Sequence, residues 1–341
     1  MTDYTNELND LKFAYKQDST NPLIANQLAM ASMEVNDYLE AFKLFKRNAE
    51  INPSEQSLSN LAYFYFHEGE PEIESGGWIN REEDAILLLE RVMLLNPKSE
   101  VPSAMLGQFY FAKERWNEAK SALERSFSVK PTFLNQYNLA ATLFQLGQLE
   151  EASEYYWKAH QVKNECYSYW ALYYYAVCKI KTGSYPKEAI EELVRSMDDK
   201  NSEIDKEGLA DIYYELDQYT NVVNAYEGTK LWVSPDWVLR YLYANVQCGF
   251  LDKAKDILNN ALVKINEELI SCITDEDEDF TPEDRERYKL ELEADKRDYL
   301  RGYDDILHLN YRPSMNFTAY VESKCYLFGC KIHKNPDFLE A

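Results

Sequence analysis

Two thiols and one imidazole near the carboxyl end of the sequence have spacing that could bind a metal ion. Cys325 and Cys330 are five positions apart, and His333 follows three positions later. Such groups bind Zn²⁺, but structural zinc sites usually use four ligands, and the sequence offers no obvious fourth ligand nearby. We therefore predict no metal and no cofactor. In a reducing compartment all six cysteines are expected to act as small buried apolar side chains: Cys166, Cys178, Cys248, Cys272, Cys325 and Cys330.

The remaining polar residues show no catalytic arrangement. The four histidines are far apart in the sequence, and there is no nucleophile elbow, phosphate loop, dinucleotide fingerprint or helical pair of metal-spaced histidines. The acidic run at 275–279 lacks the glycine and the terminal glutamate of a calcium loop, so it is interpreted as a solvated linker. The sequence thus favours a protein that is not an enzyme.

The charge balance narrows the choice of partner. The sequence has 59 acidic and 36 basic residues and a formal net charge of −23, which disfavours nucleic acid and anionic membranes and favours a basic partner. Acidity that only keeps the surface soluble remains an equal alternative. The amino terminus shows no secretory signal, and no apolar run is long enough to span a bilayer. We expect a soluble, cytoplasmic protein.

A small residue recurs along most of the chain. The intervals between successive members are 44, 34, 33, 37, 33 and 32 residues, and a bulky residue follows each member by four positions. Two amphipathic helices fit within each interval, and small residues let neighbouring helices approach closely. The small residues are Ala41, Ala85, Ala119, Ala152, Ala189, Val222 and Ala254. The bulky residues are Phe45, Leu89, Leu123, Tyr156, Leu193, Tyr226 and Leu258.

This pattern resembles the tetratricopeptide repeat family, whose units contain two helices in about 34 residues. The resemblance implies an all-α fold, a right-handed superhelical α-solenoid of about seven helix pairs. We predict an N-terminal capping helix in 1–20 and the solenoid in 21–266, with an insertion near 69–80. An acidic linker and divergent helices are expected in 267–341. Apolar spacing there predicts a capping helix pair within 282–329, with a strand-containing extension as the alternative.

The family resemblance also implies that the first helices of the pairs line a concave groove that holds a peptide or a partner helix. Members that bind chaperone tails use lysine, arginine and asparagine there, whereas only Asn138 fits at the equivalent positions, so we discount that function. An aromatic, acidic groove suits a partner with basic or exposed apolar side chains. The predicted partner-binding residues are Tyr137, Asn138, Trp170, Tyr173, Tyr174, Glu207, Asp211, Asp236, Arg240 and Tyr243.

Three functions remain open from the sequence. The first is a non-enzymatic scaffold that binds a peptide or protein in this groove. The second is an immunity-type protein that neutralises a basic toxin, such as a nuclease, because a strongly acidic surface can mimic a polyanion. The third is a regulator or enzyme with a site in the C-terminal helices.

Overall fold

The computed structural model describes residues 2–72, 76–162, 168–197, 204–228, 235–274 and 281–335. The acidic run at 275–279 and Cys166 lie outside these residues. The chain forms two compact units. Unit 1 contains Met1–Lys163 together with Ala319–Ala341, and unit 2 contains Asn164–Thr318.

Unit 1 contains four helix pairs, preceded by one further helix that packs on the first pair. Within each pair the first helix packs along the second. Its helices are α1 Thr2–Gln17, α2 Pro22–Glu34, α3 Tyr38–Ile51, α4 Glu55–His67, α5 Glu82–Leu94, α6 Val101–Ala112, α7 Trp116–Val129, α8 Phe133–Gln145 and α9 Leu149–His160.

Unit 2 contains three helix pairs and one long helix that packs on the third pair. Together with unit 1 this gives seven pairs in the described part of the chain, which confirms the predicted all-α repeat fold. The helices are α10 Ser168–Lys181, α11 Lys187–Ser196, α12 Lys206–Glu215, α13 Tyr219–Tyr226, α14 Pro235–Gln247, α15 Leu251–Thr274 and α16 Pro282–Leu309. In the described ranges no helix is both long and apolar enough to cross a bilayer.

Local sequence explains where these helices begin. At α2 the Asn21 side chain accepts hydrogen bonds from the backbone of Leu23 and Ile24, and Pro22 occupies the first turn. The Thr132 hydroxyl caps α8 in the same way. Inside the pairs, all of the small residues that set the repeat are buried.

The close approach of α6 and α7 depends on Gly107. A methyl group added at Gly107 would lie 2.7 Å from Leu123 Cδ2, and the Leu123 side chain is fully buried. Leu123 is one of the bulky residues of the predicted pattern, and Gly107 lies opposite it on the first helix of the pair. The helix pair is therefore packed as the sequence indicates.

We expect Gly107→Ala to lower the free energy of unfolding by about 1 kcal/mol, because an overpacking cost of about 1–3 kcal/mol exceeds the helix propensity that alanine adds. Gly208→Ala is the matched control, because its new methyl group would lie 3.6 Å from the nearest side-chain atom. Denaturant titration of both variants checks this prediction. Equal free energies of unfolding for the two variants would show that α6 and α7 can move apart without loss of stability.

The insertion near 69–80 contains a short antiparallel hairpin, β1 Glu70–Pro71 and β2 Trp78–Ile79, and residues 73–75 in its loop lie outside the described residues. The Glu70 carboxylate forms ion pairs with Lys46 at 2.8 Å and with Arg81 at 2.9 Å. The Trp78 ring packs on Phe64, with 5.9 Å between ring centroids. The insertion thus folds back on the second pair of unit 1.

The predicted C-terminal helix pair is wrong in its second member. The first helix is present as α16, whose Leu292, Tyr299 and Ile306 are buried in the core formed with α14 and α15. After Asn310, which ends α16 in a left-handed conformation, residues 310–327 form no helix. We call residues 310–335 the tail. Several backbone groups between Pro313 and Phe328 bond to side chains of the helices, as described below.

Candidate functional site

The tail lies on the first helices of unit 1, and Asn60 makes the central contact. Asn60 Nδ2 donates to the Phe328 carbonyl at 3.0 Å, and Asn60 Oδ1 accepts from the Phe328 backbone N–H at 2.8 Å. Asn26 Nδ2 donates to the same carbonyl at 3.0 Å, and Asn60 Nδ2 also lies 2.7 Å from Asn26 Oδ1. One asparagine therefore satisfies both backbone groups of a tail residue.

Asn138 repeats this arrangement further along the tail. Asn138 Nδ2 donates to the Glu322 carbonyl and Asn138 Oδ1 accepts from the Glu322 N–H, both at 2.8 Å. Gln108 Nε2 donates to the Glu322 carbonyl at 2.6 Å, and Gln145 Nε2 donates to the Ala319 carbonyl at 2.9 Å. We call the amide side chains that hold the tail in unit 1 the first-helix face. Its members are Asn26, Asn60, Gln108, Asn138 and Gln145.

In unit 2 the preceding part of the tail is held mainly by tyrosine hydroxyls. Tyr174 donates to the Thr318 carbonyl and Tyr214 donates to the Pro313 carbonyl, both at 2.8 Å. The Tyr173 ring lies 6.1 Å from the Phe317 ring. The same kind of contact, from a helix side chain to a tail carbonyl, is thus found in each unit.

An arginine fixes the start of the tail in unit 2. Arg312 Nη2 donates to the Tyr214 carbonyl at 2.9 Å and lies 3.3 Å from the Asp217 carboxylate. Its guanidinium also lies over the Tyr214 ring, 4.7 Å from the centroid. The point where the chain leaves α16 is therefore anchored to α12 and the turn after it.

Several aromatic residues predicted to bind a partner fill the interior of the units. Tyr137 is buried against Phe133 and Tyr156, with ring centroids 5.7 and 5.5 Å away. Tyr243 is buried against Tyr214 and Tyr219. Trp170 packs on Tyr173, with centroids 5.4 Å apart. Of the predicted residues, Asn138, Tyr173 and Tyr174 contact the tail.

Asp211 and Arg240, both predicted site residues, form a largely buried ion pair in unit 2. Arg240 Nη2 lies 3.3 Å from Asp211 Oδ1, and the Tyr226 hydroxyl donates to the same oxygen at 3.3 Å. Burial raises the pKa of Asp211 to about 6, although Arg240 and Tyr226 act in the opposite direction. The pair thus serves the packing of α12 against α14.

The remaining predicted carboxylates are more accessible. Asp236 is exposed, and Glu207 is half-buried. Burial and the nearby Asp205 raise the pKa of Glu207. Burial, then repulsion from Asp298, Glu291 and Asp236, raises the pKa of Asp295. Unit 2 therefore carries accessible negative charge at the start of α14 and along α16.

The structure brings together the thiols and imidazole that stand out in the sequence. The ligand atoms of Cys325, Cys330 and His333 all lie within 4.8 Å of one another, and Cys330 Sγ is 3.3 Å from His333 Nδ1. Burial raises the pKa of the Cys325 thiol to about 11. In the described part of the chain this is the one group of three or more such residues that could hold a metal ion.

Sequence reasoning missed Asn26, Asn60 and Gln145, whereas the family resemblance did place Gln108 at a groove position. One signal was available, because Asn26 and Asn60 are 34 positions apart, which is one repeat. Asparagine is a poor helix former, so its recurrence inside first helices at the repeat spacing indicates a role for the side chain. The tail that these residues contact had no comparable signal.

Comparison with known proteins gives one family model and several solved structures. Residues 79–159 match the model for subunit 3 of the anaphase-promoting complex, or cyclosome. None of the curated proteins matches the sequence. PilW, a type IV pilus biogenesis factor, is 19% identical with a TM-score of 0.47, over 58% of this chain and 86% of PilW.

Two further structures are similar at lower identity. A tetratricopeptide repeat protein from Parabacteroides merdae is 14% identical with a TM-score of 0.45, over 76% of this chain and 93% of that protein. Yeast Tom70 is 12% identical with a TM-score of 0.42, over 90% of this chain and 61% of the Tom70 chain. This chain therefore spans less than two thirds of the Tom70 structure.

The fold and the tail contacts together define the class of protein. Paired helices recur at a spacing near 34 residues, small residues lie where the helices meet, and first helices hold an extended segment. This is the architecture of a helical-repeat scaffold. The helix pairs are similar to tetratricopeptide repeats in their length and in the placement of their small residues.

Proposed function

We propose that this protein is a non-enzymatic scaffold that binds an extended segment of a protein partner along its first helices. The observation that carries the proposal is the paired hydrogen bonding of Asn60 and Asn138, each to the N–H and the carbonyl of one tail residue. These bonds involve only backbone groups. A segment of another protein in the same conformation can form them whatever its side chains.

The tail then acts as an occupant that the partner must displace from the first-helix face. Phe328 and Tyr326 of the tail are 1% and 3% exposed, so apolar burial adds to the backbone hydrogen bonds. A partner binds only the fraction of molecules whose face is free, which lowers its apparent affinity in proportion. A partner must therefore bind the first-helix face tightly enough to displace the tail.

Charge and aromatic contacts indicate the chemistry of the partner. Glu207 and Asp236 leave accessible carboxylates in unit 2, and the chain carries a net charge of −23. Tyr173 and Tyr174, which contact the tail, offer rings and hydroxyls to apolar side chains and carbonyls. We propose a partner segment with basic and apolar residues, whose capture weakens as salt screens the charges.

The proposal is tested with a fluorescent peptide that has the sequence of residues 312–335. We expect the peptide to bind the full chain carrying Phe328→Ala, whose own tail is weakened, and to bind the unchanged chain much more weakly. A second peptide carries N-methyl groups at the positions of Glu322 and Phe328, which removes the donors to Asn138 and Asn60. Each lost bond leaves a polar group unsatisfied, so we expect its affinity to fall about tenfold or more.

The matched control adds Asn60→Ala to the Phe328→Ala chain, and we expect weaker peptide binding there as well. Fluorescence anisotropy at low and high salt measures all combinations. Equal binding of the plain and the N-methylated peptide would contradict backbone recognition. For a natural partner, Phe328→Ala should increase capture and the added Asn60→Ala should reverse the increase. If capture of the partner stays increased after Asn60→Ala is added, the partner binds outside the first-helix face.

A further inference from the structure

We propose that Cys325, Cys330 and His333 bind one Zn²⁺ ion, which fastens the loop that carries Phe328. The inference does not depend on the proposed function, because these residues and Phe328 all belong to unit 1. It rests on the geometry of the three ligand atoms, on the contacts that build the loop, and on the type of ligand.

The ligand atoms are almost at coordination distances. Tetrahedral zinc sites have Zn–S bonds of about 2.3 Å and Zn–N bonds of about 2.0–2.1 Å, so neighbouring ligand atoms are about 3.5–3.8 Å apart. Here Cys330 Sγ and His333 Nδ1 are 3.3 Å apart, and all three ligand atoms lie within 4.8 Å of one another. These separations differ by about 1 Å or less from those of a tetrahedral site.

Hydrogen bonds within the loop hold the ligands near one another. Gly329 has φ 79°, and the Cys330 N–H donates to the Leu327 carbonyl at 3.2 Å. Asn335 closes the loop, because its backbone N–H donates to the Cys330 carbonyl at 3.0 Å and its Nδ2 donates to the carbonyls of Cys325 and Leu327, both at 2.9 Å. A site whose ligands are already positioned loses little entropy on binding.

Asn335 also belongs to the outer shell of the site, since its Nδ2 lies 3.5 Å from Cys325 Sγ. A donor beside a sulfur stabilises the thiolate form that ligates metal ions. The ligand set itself selects the ion: thiolate and imidazole groups favour zinc, whereas calcium and magnesium require oxygen ligands. His333 is exposed, so a water molecule or a ligand from outside the chain can reach the site.

The consequence for the fold follows from the position of Phe328 between the two cysteines. Asn60 and Asn26 hold the Phe328 backbone, and the ring is 1% exposed. A metal ion that joins Cys325 to Cys330 and His333 restricts the loop to the docked conformation. Zinc therefore stabilises the docked tail by mass action, as any ligand of the folded state does.

The test uses the untagged full chain, reduced and freed of metal with a chelator. Zinc titration against a colorimetric chelator should give about one tightly bound ion per chain. Cobalt should give the d–d bands and the sulfur-to-metal charge-transfer band of a tetrahedral site with thiolate ligands. Zinc should also raise the melting temperature. We expect Cys330→Ser and His333→Gln to lose these signals, and Cys248→Ser and His308→Gln, the matched controls in unit 2, to keep them.

His333 is exposed, so His333→Gln tests the site without disturbing the core, and circular dichroism checks the fold of Cys330→Ser. Zinc binding by the unchanged chain no tighter than by Cys330→Ser would overturn the proposal. Retention of the full cobalt spectrum in His333→Gln would overturn the assignment of the ligands. Cysteines that react with a thiol reagent equally fast with and without zinc would also count against it.

Discussion

Replacing Phe328 by alanine is expected to lower the free energy of unfolding of unit 1 by about 3–5 kcal/mol, the usual range for a buried phenylalanine. The ring is 1% exposed, and the backbone of the same residue is held by Asn60 and Asn26. Removal of the ring leaves a cavity that can close only if the tail moves. We therefore expect the loss to appear mainly as release of the tail.

Hydrogen exchange across 310–335 and limited proteolysis measure this release directly, since protection depends on the population of the docked form. Tyr320→Ala is the matched control, because Tyr320 lies in the same tail and is 63% exposed. It should change stability by less than about 0.5 kcal/mol. Equal tail protection in Phe328→Ala and Tyr320→Ala would show that the ring contributes nothing to docking.

Replacing Arg240 by methionine should destabilise unit 2 by about 3 kcal/mol at neutral pH, because it leaves the Asp211 carboxylate buried without its cation. The two side chains are 10% and 18% exposed, so water compensates little. Tyr226 still donates to Asp211, but one neutral hydrogen bond does not replace the ion pair. The expected effect depends on pH.

The sign of this dependence follows from the pKa of Asp211, about 6 in the folded chain against an ordinary value of 3.8. Between these values the folded chain binds more protons than the unfolded chain, so this group's contribution to stability is full below about pH 4 and is lost as pH rises through about 6. Loss of Arg240 raises the pKa of Asp211 further. The deficit of Arg240→Met should therefore shrink on acidification from neutral pH to about pH 5.

Denaturant titrations of Arg240→Met and the unchanged chain at both pH values give this deficit. Arg195→Met is the control, since Arg195 is an exposed arginine of the same unit. It should show little loss at either pH. If the loss of stability caused by Arg240→Met instead grows on acidification, a group other than Asp211 controls the pH dependence.

The repeat could be predicted because each unit buries the same kinds of side chain at the same places. Ala119 and Leu123 are fully buried at the positions that the pattern assigns to a small and a bulky residue. Even Val222, which departs from the alanine pattern, is fully buried. Contacts within one pair of helices depend on residues close in sequence, and periodicity reports such contacts directly.

The tail could not be predicted in this way, because its partners lie far away in the sequence. The apolar spacing of Phe317, Tyr320, Cys325 and Phe328 favours a helix when only local residues are considered. In the structure, the N–H groups of Glu322 and Phe328 instead donate hydrogen bonds to asparagine side chains on α8 and α4. Tertiary hydrogen bonds replace the local ones, and periodicity carries no information about them.

The candidate site was predictable only in part for the same reason. Family resemblance placed Asn138, Tyr173 and Tyr174 on the first helices, and these three residues do contact the tail. The resemblance does not distinguish residues that face the tail from those, such as Tyr137 and Tyr243, that pack within a unit. Helix position alone does not fix the direction of a ring.

The hydrogen bond from Asn26 to Phe328 joins residues 302 positions apart in the sequence. Helix pairs of unit 1 need only nearby residues and can fold as the ribosome produces them, while the tail is translated after them. Until the tail is made, the side-chain amides of Asn26 and Asn60 are therefore available to form hydrogen bonds with other polypeptides. On the proposed function, a partner present during synthesis meets no competitor until the tail emerges, so the order of translation gives it an early opportunity to bind.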